Sequence, residues 1–271
     1  MKTFALVVAA LAGSASTTLG ALSFTGPALT QNFDGLPTAN VAGAFSATIG
    51  AQNAVPSLPE WFATKLAGTG TAATALTAND GSSNSGAMFS YALTATPGER
   101  AIGTLASGSN AFAFGFEVMN NAAYSLTEFT VSFEGEEYRK ASSTATSTAP
   151  VNVLAFAWGV SGGSITSSNF LSDGTMTPNT AGDVVGTAPM PNGTPASGIV
   201  VYTSLGTTTV TITGLNVAPG QSIFVRWSDF NDLGNDAGLA IDNFTFNAVP
   251  TPGSLALLGL GGLVASRRRR A

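Results

Sequence analysis

Apolar and polar residues alternate through Leu126-Thr127-Glu128-Phe129-Thr130-Val131-Ser132-Phe133-Glu134. Successive side chains of a β-strand point to opposite faces, so Phe129, Val131 and Phe133 fall on one face. The pattern therefore predicts a strand with one buried face and one solvated face.

The same period of two recurs on both sides of this segment. Further strands are predicted at 111–118, 152–160, 207–213, 222–227 and 239–246. Clusters of Gly, Asn, Asp, Pro and Ser separate them, and no long segment has the helical period of 3.6. A helical turn is expected near Pro59-Glu60-Trp61-Phe62 or near Ser167-Ser168-Asn169-Phe170-Leu171. The pattern predicts an all-β fold, an antiparallel sandwich of two sheets.

Both ends of the chain have the composition of processing segments. A basic start, an apolar run at 4–11 and small residues near Gly20 and Ala21 predict a signal peptide over 1–21, with a signal helix. The alternative, an N-terminal membrane helix, needs about 20 apolar residues. We therefore expect one sandwich domain over 22–248 and a separate tail over 249–271.

Charge and composition exclude several classes of function. The chain has a formal charge of −5, yet residues 22–248 hold all fifteen acidic residues and five of the ten basic ones. Such an acidic body disfavours nucleic acid as a partner and is compatible with calcium. Histidine and cysteine are absent from the sequence, which removes the commonest general base and the usual zinc ligands. We expect no enzymatic activity, since a hydrolase would depend on carboxylates alone.

The tail has three parts in a fixed order. Its motif Pro250, Thr251 and Pro252 precedes an apolar, glycine-containing segment at 254–265. Four basic residues then follow: Arg267, Arg268, Arg269 and Arg270. This order predicts a short transmembrane helix with the arginines on the cytoplasmic side and the body exported. An ordinary tail anchor with stop-transfer arginines is the alternative.

The tail resembles the PEP-CTERM sorting domain of Gram-negative and related bacteria, with Thr251 where that family usually has Glu. The resemblance implies an exosortase-type processing enzyme as a partner. It also implies anchoring in the membrane through the C-terminal helix, followed by a cell-surface or extracellular location.

Three segments of the body resemble secreted bacterial β-sandwich domains that often precede such tails. They are Phe33-Asp34-Gly35-Leu36, Gly135-Glu136-Glu137-Tyr138-Arg139 and the stretch at 226–244. The resemblance implies a jelly-roll-like sandwich with no assigned enzymatic activity.

A loop between two predicted strands holds Asp229, Asp232, Asn235 and Asp236. Hard oxygen ligands on a flexible loop suit calcium, the one cofactor that the sequence suggests. Asp and Asn are also the ordinary residues of tight turns, which is the alternative interpretation.

Other polar residues are expected to have structural roles. Asp242 is expected to reach a loop or to pair with Arg226 or Arg139, which would hold strands in register. Glu136, with Glu134 and Glu137, is expected on a solvated strand edge rather than in a pair of catalytic acids. The three tryptophans, Trp61, Trp158 and Trp227, are expected in the core rather than on a sugar-binding surface.

These observations leave three functions. The first is a non-enzymatic, exported cell-surface or extracellular-matrix protein sorted through its tail. The second is a carbohydrate-binding β-sandwich module with polysaccharide as its partner and calcium as a candidate cofactor. The third is a carboxylate-only glycoside hydrolase.

Overall fold

The computed structural model describes residues 20–68, 74–108, 110–142, 150–190 and 200–250. The strands in this part of the chain are β1 (Leu22–Phe24), β2 (Leu29–Gln31), β3 (Asn53–Val55), β4 (Leu58–Ala67), β5 (Leu76–Asn79), β6 (Ala87–Tyr91), β7 (Ala101–Leu105), β8 (Ala111–Asn120), β9 (Leu126–Arg139), β10 (Val153–Val160), β11 (Thr177–Pro178), β12 (Val184–Val185), β13 (Val200–Val217), β14 (Ser222–Asp229) and β15 (Gly238–Pro250). A single turn of 3-10 helix spans Thr180–Gly182.

The strands form two sheets. The first sheet has the order β11-β10-β14-β8-β4-β3, with β12 beside β10 and β1 beside β8. The second sheet has the order β13-β9-β15-β7-β6-β5, with β2 beside β15. From β7 to β10, and again from β13 to β15, each strand lies in the opposite sheet from the strand before it. The prediction of an all-β, two-sheet sandwich is therefore confirmed.

Pairing is antiparallel along most of both sheets, but two edge pairs differ from the prediction. β1 is parallel to β8, and β5 is parallel to β6. Both are short strands that reach their neighbours through connections other than a hairpin, and only a hairpin requires antiparallel pairing.

Aromatic rings from the two sheets meet in the core. Phe133 of the second sheet lies 5.1 Å from Trp227 of the first, ring centre to ring centre, at 87°. Phe116 and Phe244 are 4.8 Å apart across the same interface. Trp61 and Trp227 are fully buried, and the half-buried Trp158 packs against the core. The prediction that the tryptophans belong to the core is confirmed.

Of the two positions expected for a helical turn, residues 59–62 are wrong, because they lie in β4. Residues 167–171 do form turns, and the backbone N–H of Phe170 donates to the carbonyl of Thr166 at 3.1 Å. Trp61 packs between the sheets, while Phe62 packs into a smaller cluster with Phe170 and Phe224. Both faces of this strand are apolar here, so the alternation that marks a half-exposed strand is missing from the sequence.

The described residues end inside the predicted sorting motif. β15 continues to Pro250, two residues beyond the boundary at residue 248 that we expected between the sandwich and the tail. Ala248 pairs with Phe129, and Pro250 pairs with Leu126 after a shift in register. Proline is tolerated at this position because the last residue of a strand does not need to donate a backbone hydrogen bond to the neighbouring strand.

The other tail residues and the signal segment lie outside the described residues: 1–19, Thr251, Pro252, Arg267, Arg268, Arg269 and Arg270. Across the ranges that are described, no helix has the length and apolar character needed to cross a membrane.

Candidate functional site

Three carboxylates converge on the outer face of the second sheet. Glu134 and Glu136 lie on β9, and Asp242 lies on β15, where it pairs with Glu134 across the strands. One carboxylate oxygen of each residue lies within 4.8 Å of the others. We call these three residues the acidic trio.

The acidic trio is largely buried, so the expectation of a solvated strand edge is wrong. Glu136 is 4% exposed and Asp242 is 2% exposed, while Glu134 is half-buried. The neighbouring Glu137 is also buried, and the hydroxyl of Thr187 donates to its carboxylate. Side chains from other strands cover this face, which the sequence of β9 alone does not show.

Tyrosines provide much of this cover. Tyr91 of β6 stacks on Tyr138 of β9 at 4.5 Å, and Tyr138 contacts Tyr202 of β13 at 5.4 Å. Tyr138 Oη donates to Glu136 Oε2 at 2.9 Å, and Tyr202 Oη donates to Glu136 Oε1 at 2.8 Å. Both carboxylate oxygens of Glu136 are therefore held by phenol groups.

Asn243 shapes the other side of the trio. Its φ of +48° lies in the left-handed region, within the register shift between Asp242 and Thr245. Its backbone N–H donates to Asp242 Oδ1 at 2.7 Å, and its side-chain amide donates to Glu134 Oε2 at 3.1 Å. An asparagine at this irregular point thus contacts two of the three carboxylates.

Burial controls the protonation of the trio. It raises the pKa of Asp242 to about 7, with a further contribution from the charge of Glu136. Burial also raises the pKa of Glu136, although hydrogen bonds from Tyr202 and Tyr138 oppose that shift. Close carboxylates that repel one another retain a proton or attract a cation near neutral pH.

An open groove of about 590 Å³ lies beside the trio, between β2 and β15. Its lining consists mainly of amide and hydroxyl side chains, with one aromatic residue. The lining residues are Thr30, Gln31, Asn32, Asn243, Phe244 and Thr245. Asn243 belongs to both features, because it lines the groove and donates to Glu134.

The four residues of the predicted calcium loop are held by separate hydrogen bonds. Asp229 Oδ2 accepts from the backbone N–H of Ala106 at 2.9 Å, and Asp232 Oδ2 accepts from Asn152 at 2.7 Å. The N–H of Asp232 donates to Asp236 Oδ1 at 2.9 Å.

The side chain of Asn235 donates to Ser142 Oγ at 2.9 Å and so links the loop to the segment that follows β9. Burial raises the pKa of Asp229 and of Asp236 to about 7. The hydrogen bonds of the loop are those that turn residues make. In the part of the chain that the structure covers, the acidic trio, and not this loop, brings three ligand atoms together.

The arginines do not pair with Asp242 as expected. Arg226 lies on β14 in the other sheet, where Nη1 donates to the carbonyl oxygens of Phe170, Leu171 and Asp173 at 2.9–3.2 Å. Arg139 is buried at the end of β9, and its Nη1 donates to the carbonyl of Gly81 at 3.4 Å. Sequence reasoning could not assign β14 and β15 to different sheets.

Sequence reasoning named Glu136 and Asp242 but missed their convergence with Glu134. Alternation places Glu134 and Glu136 on the polar face of β9, which is a usable signal. The partner strand and the register are not visible in that pattern. Tyr202 was missed because it lies five residues before Thr207, where β13 was predicted to begin.

Comparison with known proteins gives little further information. No family model and no curated protein matches the chain. A structure of TmCBM61 in complex with beta-1,4-galactotriose is 14% identical, with 56% of this chain and 72% of that chain covered and a TM-score of 0.28.

The enzymatically active domain of tailspike protein 4 from bacteriophage CBA120 is 9% identical, with a TM-score of 0.32. That match covers 77% of this chain and only 22% of the tailspike chain. Both TM-scores lie below 0.5, so neither similarity bears on the function of this chain.

Proposed function

We propose that this chain is a non-enzymatic, exported cell-surface or extracellular-matrix protein whose sandwich is sorted through its C-terminal tail. The position of the sandwich between the two segments that the sequence predicts to be processed supports this proposal. β1 begins at Leu22, directly after the expected signal peptide, and β15 ends at Pro250, the first residue of the sorting motif.

In this proposal the signal peptide directs export, and the apolar segment after Pro252 anchors the chain in the membrane. The arginines from Arg267 to Arg270 stay cytoplasmic, because positive charge is retained on that side. An exosortase-type enzyme acts at the Pro250-Thr251-Pro252 motif and releases the jelly-roll-like domain to the surface.

A fusion experiment tests the tail. A reporter behind a signal peptide, with residues 248–271 at its C-terminus, is expected in the membrane fraction. The same fusion without residues 251–271 is expected in the periplasmic or extracellular fraction. Equal distribution of the two fusions contradicts the anchor, and unchanged size and location in a host without exosortase contradicts the processing step.

The geometry of the acidic trio supports a non-enzymatic role. Glycoside hydrolases need two carboxyl groups about 5–9.5 Å apart on either side of a bond. In the trio, both carboxylate oxygens of Glu136 already accept hydrogen bonds from tyrosine hydroxyl groups. Glu136 is therefore engaged by the protein itself, which makes it unsuitable as a catalytic acid or nucleophile.

A second candidate function is carbohydrate binding in the groove beside the trio. Its amide and hydroxyl lining offers both donors and acceptors to sugar hydroxyl groups. Outside the groove, on the other side of the trio, Tyr202 is 42% exposed. Such an exposed aromatic ring next to polar side chains suits the mixed surface of a sugar.

A glycan array tests this second function. Binding by the wild-type protein is expected to be lost in Asn243→Gly, because glycine accepts the φ of +48° while removing the amide. Binding that persists in this variant contradicts a site in the groove. A parallel array with chelator and Asp232→Asn tests calcium in the loop, since a calcium-dependent module loses binding in both.

A further inference from the structure

A second, smaller cavity lies at the end of the sandwich where β7, β9 and the loop before β15 meet. Its volume is about 110 Å³. Its lining residues are Asn84, Leu105, Ala106, Ser107, Gly108, Arg139, Gly234, Asn235 and Asp236. We call it the loop cavity; its lining shares no residue with the groove beside the trio.

Two charged side chains of the lining have atoms without a hydrogen-bond partner. Arg139 is 1% exposed and Asp236 is 5% exposed, yet Arg139 Nη2 and Asp236 Oδ2 are both buried and unpaired in the structure. Nearly all buried polar groups in proteins are paired with protein or water, because an unpaired one is costly. These two atoms therefore indicate that the cavity receives a polar molecule.

The two unpaired atoms have opposite requirements. Arg139 Nη2 needs an acceptor, and Asp236 Oδ2 needs a donor. A cation would satisfy Asp236 but would face the guanidinium group, and an anion would satisfy Arg139 but would face the carboxylate. A hydroxyl group accepts and donates at once, so a hydroxylated neutral ligand matches both.

The size of the loop cavity and the residues near it restrict the class of ligand further. A single buried water needs a cavity of only about 10–15 Å³. At about 110 Å³, the loop cavity has room for considerably more than one bridging water. Phe230 and Leu233 on the same loop are 58% and 65% exposed. A sugar ring offers hydroxyl groups to the polar lining, and its apolar C–H face suits these two side chains, which belong to the loop but not to the lining itself.

We propose that the loop cavity binds a neutral sugar residue at the end of a glycan through its neighbouring hydroxyl groups. Arg139 donates to one hydroxyl oxygen, Asp236 accepts from a hydroxyl, and Phe230 covers the ring. This extends the carbohydrate-binding candidate to a second position, and it is independent of binding in the groove.

The test is saturation-transfer NMR followed by calorimetric titration with glucose, galactose and mannose. The full chain is used in detergent without sugar headgroups, and EDTA is present throughout so that a displaced metal cannot explain a loss. At least one hexose is expected to bind the wild type. Asp236→Asn is expected to weaken binding about tenfold, the value of one hydrogen bond to a charged group.

Three variants complete the test. Phe230→Ala changes an exposed side chain, so it is expected to fold normally and to weaken hexose binding severalfold. Ile49→Ala is the matched control, because Ile49 is 55% exposed and lines neither the loop cavity nor the groove, and it is expected to leave hexose binding unchanged. Asn243→Gly is measured alongside, because a loss of binding in that variant alone would assign the sugar to the groove. Tryptophan fluorescence confirms that each variant is folded.

Three results would overturn the proposal: no hexose binds the wild type, Asp236→Asn and Phe230→Ala bind as the wild type does, or only Asn243→Gly loses binding. If only Asn243→Gly loses binding, the protein does bind carbohydrate, but in the groove and not in the loop cavity. Glycan-array binding without any monosaccharide binding would likewise remove the loop cavity and leave the groove.

Discussion

Asp242 of β15 lies directly opposite Glu134 of β9, so two carboxyl groups face each other across adjacent strands of the second sheet. Like charges in this position destabilise a sheet. Burial raises the pKa of Asp242 to about 7, so its proton is retained through the range in which an exposed aspartate is ionised. The protonation of this pair gives the first of four predictions.

The free energy of unfolding should fall as the pH rises from about 4 to about 7. In this range the folded chain binds more protons than the unfolded chain, because the pKa of Asp242 is raised from 3.8 to about 7. The contribution of protonated Asp242 to the free energy of unfolding is fully present below about pH 4 and is lost above about pH 7. Asp242→Asn should therefore reduce the slope and stabilise the protein at pH 8, as measured by urea unfolding.

Asp229 and Asp236 have pKa values raised in the same direction, so part of the slope should remain in Asp242→Asn. Asp80→Asn is the matched control, because a hydrogen bond from Ser82 lowers the pKa of Asp80. Asp80→Asn should not increase the free energy of unfolding at pH 8. A stability that rises between pH 4 and pH 7 would show that burial does not dominate these carboxyl groups.

Tyr202→Phe should destabilise the protein by about 1 kcal/mol, the typical value of one hydrogen bond. The variant removes the donor to Glu136 Oε1 and leaves the ring that contacts Tyr138. Tyr202 is 42% exposed, so water replaces part of the lost interaction. Thermal and urea unfolding measure the change, and equal stability of the two proteins would mean that water fully replaces the phenol.

Trp227→Ala should destabilise the protein by about 3–5 kcal/mol, the range for removing a large buried aromatic side chain. The ring of Trp227 is fully buried and contacts Phe133, Phe156 and Phe114. Trp158→Ala is the control, since Trp158 is only half-buried, and it should cost clearly less. Similar losses for both variants would argue against a core centred on Trp227.

Gly115→Ala should weaken the contact between β8 and β14. A Cβ atom at Gly115 would lie 2.0 Å from the carbonyl oxygen of Val225. This clash is with the backbone of a paired strand, which can shift only at a cost in hydrogen bonding. The expected cost is about 1–3 kcal/mol, as for other overpacked sites. Gly98→Ala is the control, because a Cβ there meets nothing within 4 Å. Comparable melting temperatures for the two variants would contradict this packing.

The sequence predicted the faces of strands more successfully than their partners. Phe129, Val131 and Phe133 are buried as their alternation indicated, because one side of β9 faces the core. The length of β13 was predicted too short. The strand continues through Gly206 and Gly214, both of which have left-handed backbone conformations that are unusual within a strand. Residues 207–213 were predicted as a strand, and the extensions on both sides were missed.

The candidate site was harder to predict because it depends on register. The trio forms only because Asp242 pairs with Glu134 next to the irregularity at Asn243. Shifting a strand by one residue moves its side chains to the other face, and nothing in either segment alone specifies that shift. The loop cavity likewise combines three segments that are distant in the sequence.

β15 connects two proposed attachment points of the protein. It begins at Gly238, two residues after Asp236 of the loop cavity, and it ends at Pro250, where the tail follows. Its thirteen residues span about 40 Å. A pull between a glycan in the cavity and the membrane would act along this strand.

The ladder bonds of an antiparallel pair run perpendicular to the strands, so that pull loads the contacts of β15 with β9 and β7 in shear. Many bonds would share the force at the same time instead of breaking one after another. A surface protein tethered in this way would resist mechanical extraction by flow or by the movement of neighbouring cells.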